Sequence, residues 1–297
     1  MVLAVTVAVA DASAAGAASG GSPKVAVVAA ENEYASVVAQ IGGNDVSVSA
    51  IMSNPNTDPH TFEASPSVAQ EVSAAKLVVE NGVGYDGFMT KVLSASPAAA
   101  RKVINVQHLL GLSDSTENPH LWYTPKTMPV VAAKVAADLT SLDPSAAATF
   151  RKNVTTFDAS LAPWKRALDH LKATFPHFPV AVTEPVGDDM LEAAGGHVLT
   201  PWSLQADVMN GVDPAPENVS FEEGLLSDHR VRVFLYNQQV TDSLTETFLS
   251  DAKAAGVPVV GVYETMPTPG YDYQSWMVAE VKALTRALST KHSTSKL

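Results

Sequence analysis

Short apolar segments alternate with helical segments along most of this chain. In the first half, helical patterns separate four apolar segments, at 24–30, 46–52, 76–80 and 102–106. Strands buried on both faces are apolar along their length, and the helices between them supply the connections that a parallel sheet requires. The first half is therefore predicted to form a parallel α/β sheet covered by helices on both faces.

The same alternation begins again after Pro179. Three apolar segments, at 180–183, 231–236 and 257–263, alternate with helical patterns at 187–194, 216–228, 241–255 and 273–288. A second set of strands and helices indicates a second unit of the same class. The chain is therefore predicted to fold as two α/β lobes, each a mainly parallel sheet flanked by helices.

Residues 145–174, between the two halves, carry neither strand nor turn signals. Their apolar side chains recur at three- and four-residue spacing, which is typical of a helix. About thirty helical residues would span about 45 Å, more than the width of one lobe. We expect one long rigid helix joining the lobes, bent or broken at Pro163, with two separate core helices as the alternative. The predicted division is a lobe at 24–143, the linking helix at 144–175 and a lobe at 176–297.

The composition excludes several kinds of partner and chemistry. The chain has 297 residues, 46% of them hydrophobic, which is enough for two cores. Its net charge is -12, from 31 acidic and 19 basic residues, and the basic residues form no cluster, so nucleic acid is not expected to bind. Because the sequence contains no cysteine, His, Asp and Glu are the strong metal ligands that it offers.

Residues 1–23 differ in composition from the rest of the chain. The first ten form an apolar run too short to cross a bilayer, and Ala- and Ser-rich sequence follows. This pattern is typical of a secretory signal with a small-residue cleavage site, although no basic residue precedes the run. We expect an export signal, and hence an extracytoplasmic protein, with a low-complexity leader as the alternative.

Two of the chain's proline–histidine pairs stand at the starts of loops. The first lies in the segment 56–67 and contains His60, and the second lies in the segment 117–125 and contains His120. Proline fixes its own φ angle and biases the preceding residue toward extended backbone, so each imidazole is presented at a defined angle. A single pair of this kind is more often a surface turn, but its repetition indicates two histidines that share one metal site.

Two glutamates follow predicted strands of the second half. Glu184 comes after 180–183 and Glu264 after 257–263, and parallel sheets bind ligands beyond the carboxyl ends of their strands. Glu184 also fits an acidic residue stabilised by the dipole of the following helix, and Glu264 also fits a solvated loop carboxylate. Residues 236–239, past another strand end, are candidates for hydrogen bonds to the ligands by position alone. The other histidines are expected at the surface or beside the site: His108, His170, His177, His197, His229 and His292.

The sequence resembles the metal-binding solute-binding proteins of bacterial ABC importers, from Lys24 to Leu288. The motifs that carry the resemblance are DPHTFEASPS at 58–67, LVVENG at 77–82, PHLW at 119–122, LDP at 142–144 and VPVV at 257–260. The resemblance implies two α/β lobes joined by a long rigid helix, with one divalent transition metal ion at the lobe interface. It also implies that the four ligands are His60, His120, Glu184 and Glu264.

Three features depart from the pattern of that family. Glu264 stands where aspartate is usual, and Asn118 stands where aspartate often precedes the Pro-His pair. The segment 111–117 also lacks the histidines that are common in zinc-specific members. These departures leave the identity of the metal open.

The ligand set is compatible with more than one metal. Two neutral imidazoles and two carboxylates balance the charge of a dipositive ion, and they suit Zn(II), Mn(II) and Fe(II) better than Cu(I). The imidazoles favour zinc, with bonds of about 2.0–2.1 Å, whereas carboxylates that bind through both oxygens would suit the larger manganese. We therefore expect zinc or manganese as cargo, with iron as a further option.

The resemblance implies a receptor and not an enzyme. Such a protein would capture a divalent transition metal ion outside the cytoplasm and deliver it, as a monomer, to an ABC permease in the membrane. Two alternatives stay open: a metal-dependent hydrolase of similar shape, and a receptor for an organic solute or metal chelate. The coordination number distinguishes carriage from catalysis, because four protein ligands without water indicate carriage and three with water indicate catalysis.

Overall fold

Two parallel sheets form the framework of the part of the chain that the computed structural model describes, residues 23–54, 62–267 and 269–297. The first sheet consists of β1 (Val25–Glu31), β2 (Val46–Met52), β3 (Leu77–Glu80) and β4 (Lys102–Asn105), in the spatial order β2-β1-β3-β4. The second consists of β5 (Phe178–Val182), β6 (Gly196–Val198), β7 (Val233–Asn237) and β8 (Val259–Val262), in the order β6-β5-β7-β8. Neighbouring strands are parallel in both sheets, so the predicted fold class is confirmed.

Two helix ends of the first lobe show clear capping residues. Ser65 accepts a hydrogen bond from the backbone N–H of Val68, with Pro66 as the first helical residue. Gly43 ends the first helix with a φ of 56°, a conformation that glycine adopts without strain. The helices are α1 (Asn32–Gly42), α2 (Pro66–Ala74), α3 (Gly87–Ala95), α4 (Val106–Leu109) and α5 (Thr127–Leu142).

The segment that links the lobes consists of two helices, α6 (Ala147–Ser160) and α7 (Ala162–Thr174). The break between them is at Leu161, two residues before Pro163. Pro163 thus lies in the first turn of α7, where its missing backbone N–H is tolerated because the N–H groups of a first turn have no partner within the helix. The single long helix expected over 144–175 is therefore divided, and the break lies where Pro163 predicted it. Helix α6 packs on α1 and α5 of the first lobe, and α7 packs on the last helix of the second lobe.

The second lobe contains five helices within the described residues. Two of them begin with reciprocal capping boxes, built by Asp242 with Thr245 and by Asp272 with Ser275. The helices are α8 (Asp188–Ala193), α9 (Trp202–Met209), α10 (Pro216–Ser227), α11 (Ser243–Ala255) and α12 (Tyr273–Thr290). None of the helices in the described ranges is both long enough and apolar enough to span a membrane.

One hydrophobic core continues from the first lobe into the second. It contains Val27 and Val79 of the first sheet together with Val180 and Leu235 of the second, all of them buried. A smaller core covers the other face of the second sheet, between that sheet and α9 to α11. The lobes therefore share buried apolar surface, which favours a fixed arrangement over independent motion.

Polar side chains add specific bonds across the lobe interface. The side chain of Asn32, at the start of α1, donates to Met266 O at 2.8 Å and accepts from Met266 N at 2.9 Å. The hydroxyl of Tyr123 donates to Tyr263 O at 2.9 Å. Both pairs are buried, so they fix the loop after β8 against the first lobe.

Candidate metal centre

The carboxyl ends of β5, β7 and β8 bring three polar side chains together. The three strands are hydrogen-bonded neighbours, and Glu184 follows the end of β5, Asn237 ends β7 and Glu264 follows the end of β8. The two carboxylates are buried, with 2% of Glu184 and 0% of Glu264 exposed, so neither is a solvated loop residue. This edge of the second sheet therefore presents two acidic groups toward the first lobe.

Asn237 holds the two carboxylates. Its Nδ2 donates to Glu184 Oε1 at 2.7 Å and to Glu264 Oε1 at 2.6 Å, so its two amide hydrogens are shared between the two glutamates. Its backbone N–H donates to Thr183 Oγ1, and its Oδ1 accepts from the backbone N–H of Gln239. The hydrogen bonds expected from residues 236–239 are therefore present, and Asn237 makes them.

Gln239 fixes the loop that carries Glu264. Its side-chain oxygen accepts from the backbone N–H groups of Glu264 at 2.7 Å and Thr265 at 2.8 Å, and its Nε2 donates to Thr265 Oγ1 at 2.9 Å. One amide side chain thus satisfies three polar groups of a buried loop. The position of Glu264 is set by its backbone as well as by its carboxylate.

His120 comes from the first lobe and lies against Glu264. Its ring is fully buried, and its Nε2 lies 3.6 Å from Glu264 Oε2. Its Nδ1 lies 2.8 Å from Asn118 Oδ1, which also accepts from the His120 backbone N–H at 3.1 Å. The amide oxygen of Asn118 is an acceptor, so Nδ1 carries the proton and Nε2 presents its lone pair on the side of Glu264.

The corner that carries His120 is tied to both lobes. Asn81 donates to Pro119 O at 2.9 Å within the first lobe, and the Nδ2 of Asn118 donates to Pro185 O of the second lobe at 3.0 Å. Pro185 directly follows Glu184, so a single asparagine connects the histidine corner with the glutamate corner. This role of Asn118 was not predicted, although the sequence marked the position as a departure from the family pattern.

Aromatic side chains enclose the histidine and the glutamate. The Tyr85 hydroxyl donates to Glu264 Oε2 at 3.0 Å. The His120 ring makes edge contacts with Tyr85 at 5.8 Å and with Trp122 at 5.4 Å between centroids. Burial, followed by the charge of Glu264, raises the pKa of Tyr85 well above its ordinary value, so the hydroxyl keeps its proton and donates. Trp122 and Tyr123 pack the loop, and both are fully buried.

Further carboxyl groups lie behind the site in the first lobe. Glu31 ends β1 and Glu33 is in the first turn of α1, and both are fully buried. Burial, followed by the charges of Asp86, Glu33 and Glu80, raises the pKa of Glu31. Burial also raises the pKa of Glu33, with a smaller contribution from Glu264. The surroundings of the site are therefore poor in water, and they contain buried carboxyl groups whose protonated form is favoured.

His120 lies beside Glu264, and Asn237 links Glu264 to Glu184. The fourth predicted ligand, His60, falls at 55–61, outside the described residues. The described residues alone contain no set of three or more His, Asp or Glu side chains arranged to hold a metal ion. The six other histidines are exposed, so they lie at the surface, one of the two positions expected for His108, His170, His177, His197, His229 and His292.

The fold and the site together define a class of protein. Two parallel α/β sheets are joined by linking helices, and a buried imidazole of one lobe lies 3.6 Å from a buried carboxylate of the other. This is the arrangement of a two-lobed binding protein whose ligand site lies between the lobes. The chain belongs to the family described as zinc-uptake complex component A, periplasmic (ZnuA), whose family model matches residues 27–287.

Curated relatives are similar to part of this chain. The metal ABC transporter substrate-binding lipoprotein ScbA of Streptococcus cristatus is 27% identical over 172 residues, which are 54% of this chain and 54% of the relative. The manganese-binding lipoprotein MntA of Bacillus subtilis is 27% identical over 141 residues, 46% of each chain. The chain thus spans about half the length of the curated relatives that it matches.

Solved structures match nearly the whole fold. The periplasmic zinc-binding protein TroA of Treponema pallidum superposes with a TM-score of 0.73 at 18% identity, covering 87% of this chain and 99% of that chain. The SBP FpvC of Pseudomonas aeruginosa in complex with Mn2+ superposes with a TM-score of 0.74 at 19% identity, covering 91% of this chain and 100% of that chain. At these identities the likeness establishes the shared two-lobed fold.

Proposed function

We propose that this protein is an extracytoplasmic receptor that captures one divalent transition metal ion between its lobes and delivers it, as a monomer, to an ABC permease. Membership of a periplasmic zinc-uptake family supports the class of cargo and the location. The names of the relatives, which refer to manganese, to zinc and to metal ABC transport, support the same cargo class and the permease partner.

We further propose that His60 completes the ligand set formed by His120, Glu184 and Glu264. The observation that carries this proposal is the 3.6 Å separation of His120 Nε2 and Glu264 Oε2 in a fully buried setting. That distance is longer than a hydrogen bond, and it suits two ligands on either side of one ion. An imidazole from one lobe and carboxylates from the other would make metal binding a bond between the lobes.

Burial of the ligands favours carriage over catalysis. A catalytic metal needs an open position for water and a path for substrate, whereas a transport site can be closed by protein ligands. The three described ligands expose 2% of their surface or less. X-ray absorption spectroscopy of the zinc-loaded protein should count four protein ligands and no water, and three ligands with one water would indicate a hydrolase instead.

The ligand set is tested by metal titration of the chelator-stripped full chain. We expect His60→Ala, His120→Ala, Glu184→Ala and Glu264→Ala each to weaken zinc and manganese binding by more than about 100-fold. Mutations of residues that hydrogen-bond to metal ligands already lower metal affinity about 10- to 100-fold, and the loss of a ligand should lower it further. The matched control is His108→Ala, which removes an exposed histidine and should bind as the wild type does. Unchanged binding in the His120 variant would refute the ligand assignment.

The physiological cargo needs a separate measurement. Affinity in solution follows the general order of the divalent metals whatever ion the protein carries in the cell. Elemental analysis of the protein purified from its native host under metal-limited growth would identify the cargo directly. A protein purified without a stoichiometric transition metal, from cells that contain one, would contradict the proposed function.

A further inference from the structure

Asn237 is placed to control how the two glutamates bind a metal. Its side chain is fully buried, and its orientation is fixed because Oδ1 accepts from Gln239 N at 3.0 Å. Nδ2 must therefore face the carboxylates, and it donates one hydrogen to Oε1 of Glu184 and the other to Oε1 of Glu264. One oxygen of each carboxylate thus accepts a hydrogen bond from the same amide nitrogen of Asn237.

This arrangement limits the oxygens that the carboxylates offer to an ion. Bidentate binding needs both oxygens of a carboxylate turned toward the same metal. The bond to Asn237 turns one oxygen of each glutamate toward the amide, and Tyr85 also donates to Glu264 Oε2 at 3.0 Å. Each glutamate is therefore held in an orientation that suits binding through one oxygen.

The distance between His120 and Glu264 agrees with a low coordination number. Two ligands with bonds of about 2.0–2.1 Å lie about 3.3–3.4 Å apart at the tetrahedral angle and about 2.9 Å apart at the right angle of an octahedron. The observed separation of Nε2 and Oε2 is 3.6 Å. It is closer to the edge of a tetrahedron than to that of an octahedron.

We infer that Asn237 is a positioning residue that restricts Glu184 and Glu264 to one oxygen each and thereby favours four-coordinate zinc over manganese. This inference rests on the proposed function, because it concerns the same site. Zinc accepts four ligands in a tetrahedron, whereas larger oxygen-preferring ions gain from carboxylates that use both oxygens. The sequence carries two imidazoles and two carboxylates, a set compatible with either metal, so the orientation of the carboxylates decides between them.

The test uses Asn237→Leu, which removes both donors at similar side-chain volume. Cobalt(II) is the spectroscopic probe, because tetrahedral Co(II) absorbs visible light much more strongly than six-coordinate Co(II). We expect intense visible bands for the wild type and weak bands for the variant. We also expect the ratio of zinc affinity to manganese affinity, measured by chelator competition, to fall about 10- to 100-fold in the variant.

The matched control is Asn105→Leu. Asn105 likewise donates to a glutamate, Glu80 Oε1 at 2.9 Å, and its oxygen accepts a backbone N–H, from His108. It lies at the end of β4 in the first lobe and is not a proposed part of the site. This variant should keep the wild-type cobalt spectrum and the wild-type ratio of affinities.

Three results would overturn the inference. The first is that Asn237→Leu weakens zinc and manganese binding by the same factor and keeps a tetrahedral cobalt spectrum. Asn237 would then support the site without affecting the choice of metal. If X-ray absorption of the zinc-loaded wild type counted five or six ligands, the restriction would be absent, whether or not the variant folds. If the wild type bound neither metal, the proposed function would fail together with the inference, whereas the first two results leave that function intact.

Discussion

Glu222 is a buried acid that is not among the proposed ligands, and it gives a quantitative prediction for the metal-free protein. It is fully buried in α10, where its Oε1 accepts from Thr200 Oγ1 at 3.1 Å. Thr200 in turn accepts from the backbone N–H of Val182, in β5. Burial raises the pKa of Glu222 from 4.5 to about 8. The folded protein therefore holds this carboxyl in its protonated form at neutral pH.

A raised pKa makes the folded state lose stability as the pH increases. The unfolded chain releases the Glu222 proton near pH 4.5, whereas the folded chain keeps it until about pH 8. Between these values unfolding is favoured by about 1.36 kcal/mol per pH unit. From pH 5.5 to pH 7.5 the loss from this group alone is about 2–3 kcal/mol, and it is fully restored at low pH.

Glu222→Gln keeps the shape of the protonated acid and cannot ionise. The difference in unfolding free energy between variant and wild type should therefore shift by about 2–3 kcal/mol in favour of the variant from pH 5.5 to pH 7.5. Other buried acids, such as Asp188 and Glu280, are present in both proteins and cancel from the difference. Urea unfolding of the chelator-stripped proteins, followed by tryptophan fluorescence, measures it.

Glu223→Gln is the control, because Glu223 is an exposed neighbour on the same helix. Its difference from the wild type should be the same at both pH values. If the Glu222→Gln difference were also independent of pH, the side chain would not be held protonated in the folded state. Glu222 would then not be buried between α10 and the second sheet.

Two further predictions concern the surroundings of the proposed ligands. Tyr85→Phe removes the hydroxyl that donates to Glu264. Metal affinity, measured by chelator competition, should fall about 10- to 100-fold without loss of the fold. Unchanged affinity would contradict a role of this hydroxyl at the site. Asn118→Ala removes the acceptor beside the His120 ring and the hydrogen bond to Pro185 O. Metal should therefore be released faster in stopped-flow chelator experiments. An unchanged release rate would show that the bond to Pro185 does not hold the site closed.

Much of the fold was predictable because buried parallel strands are apolar along their length. The segments 24–30 and 76–80 match β1 and β3, the central strands of the first sheet. Three short elements were not predicted from the sequence: β6, which has three residues, and the helices α4 and α9. Elements of this length contain too few residues to establish a periodic pattern, and β6 forms at the edge of its sheet only because β5 lies beside it.

The residues of the candidate site that follow strand ends could be predicted from the sequence. Glu184 and Glu264 were predicted from their positions after β5 and β8, and His120 from its Pro-His pair. Tyr85 was missed because it lies in a turn, and only the packing of the lobes brings its hydroxyl to a residue 179 positions away. Contacts between distant segments of this kind leave no local signal in the sequence.

The bonds around Glu264 determine how the proposed receptor can open. The loop that carries Glu264 is bonded to the first lobe on both sides, twice between Tyr123 and Tyr263 and twice between Asn32 and Met266. At about 1 kcal/mol net for each bond, breaking these four bonds costs about 4 kcal/mol, before the Tyr85–Glu264 bond and the shared apolar core are counted. An open form is therefore populated in at most about one molecule in a thousand, since each 1.4 kcal/mol is a factor of ten. A permease that releases the metal by opening the lobes must bind the open form at least about a thousand times more tightly than the closed form, because a partner shifts an equilibrium only by its difference in affinity for the two states.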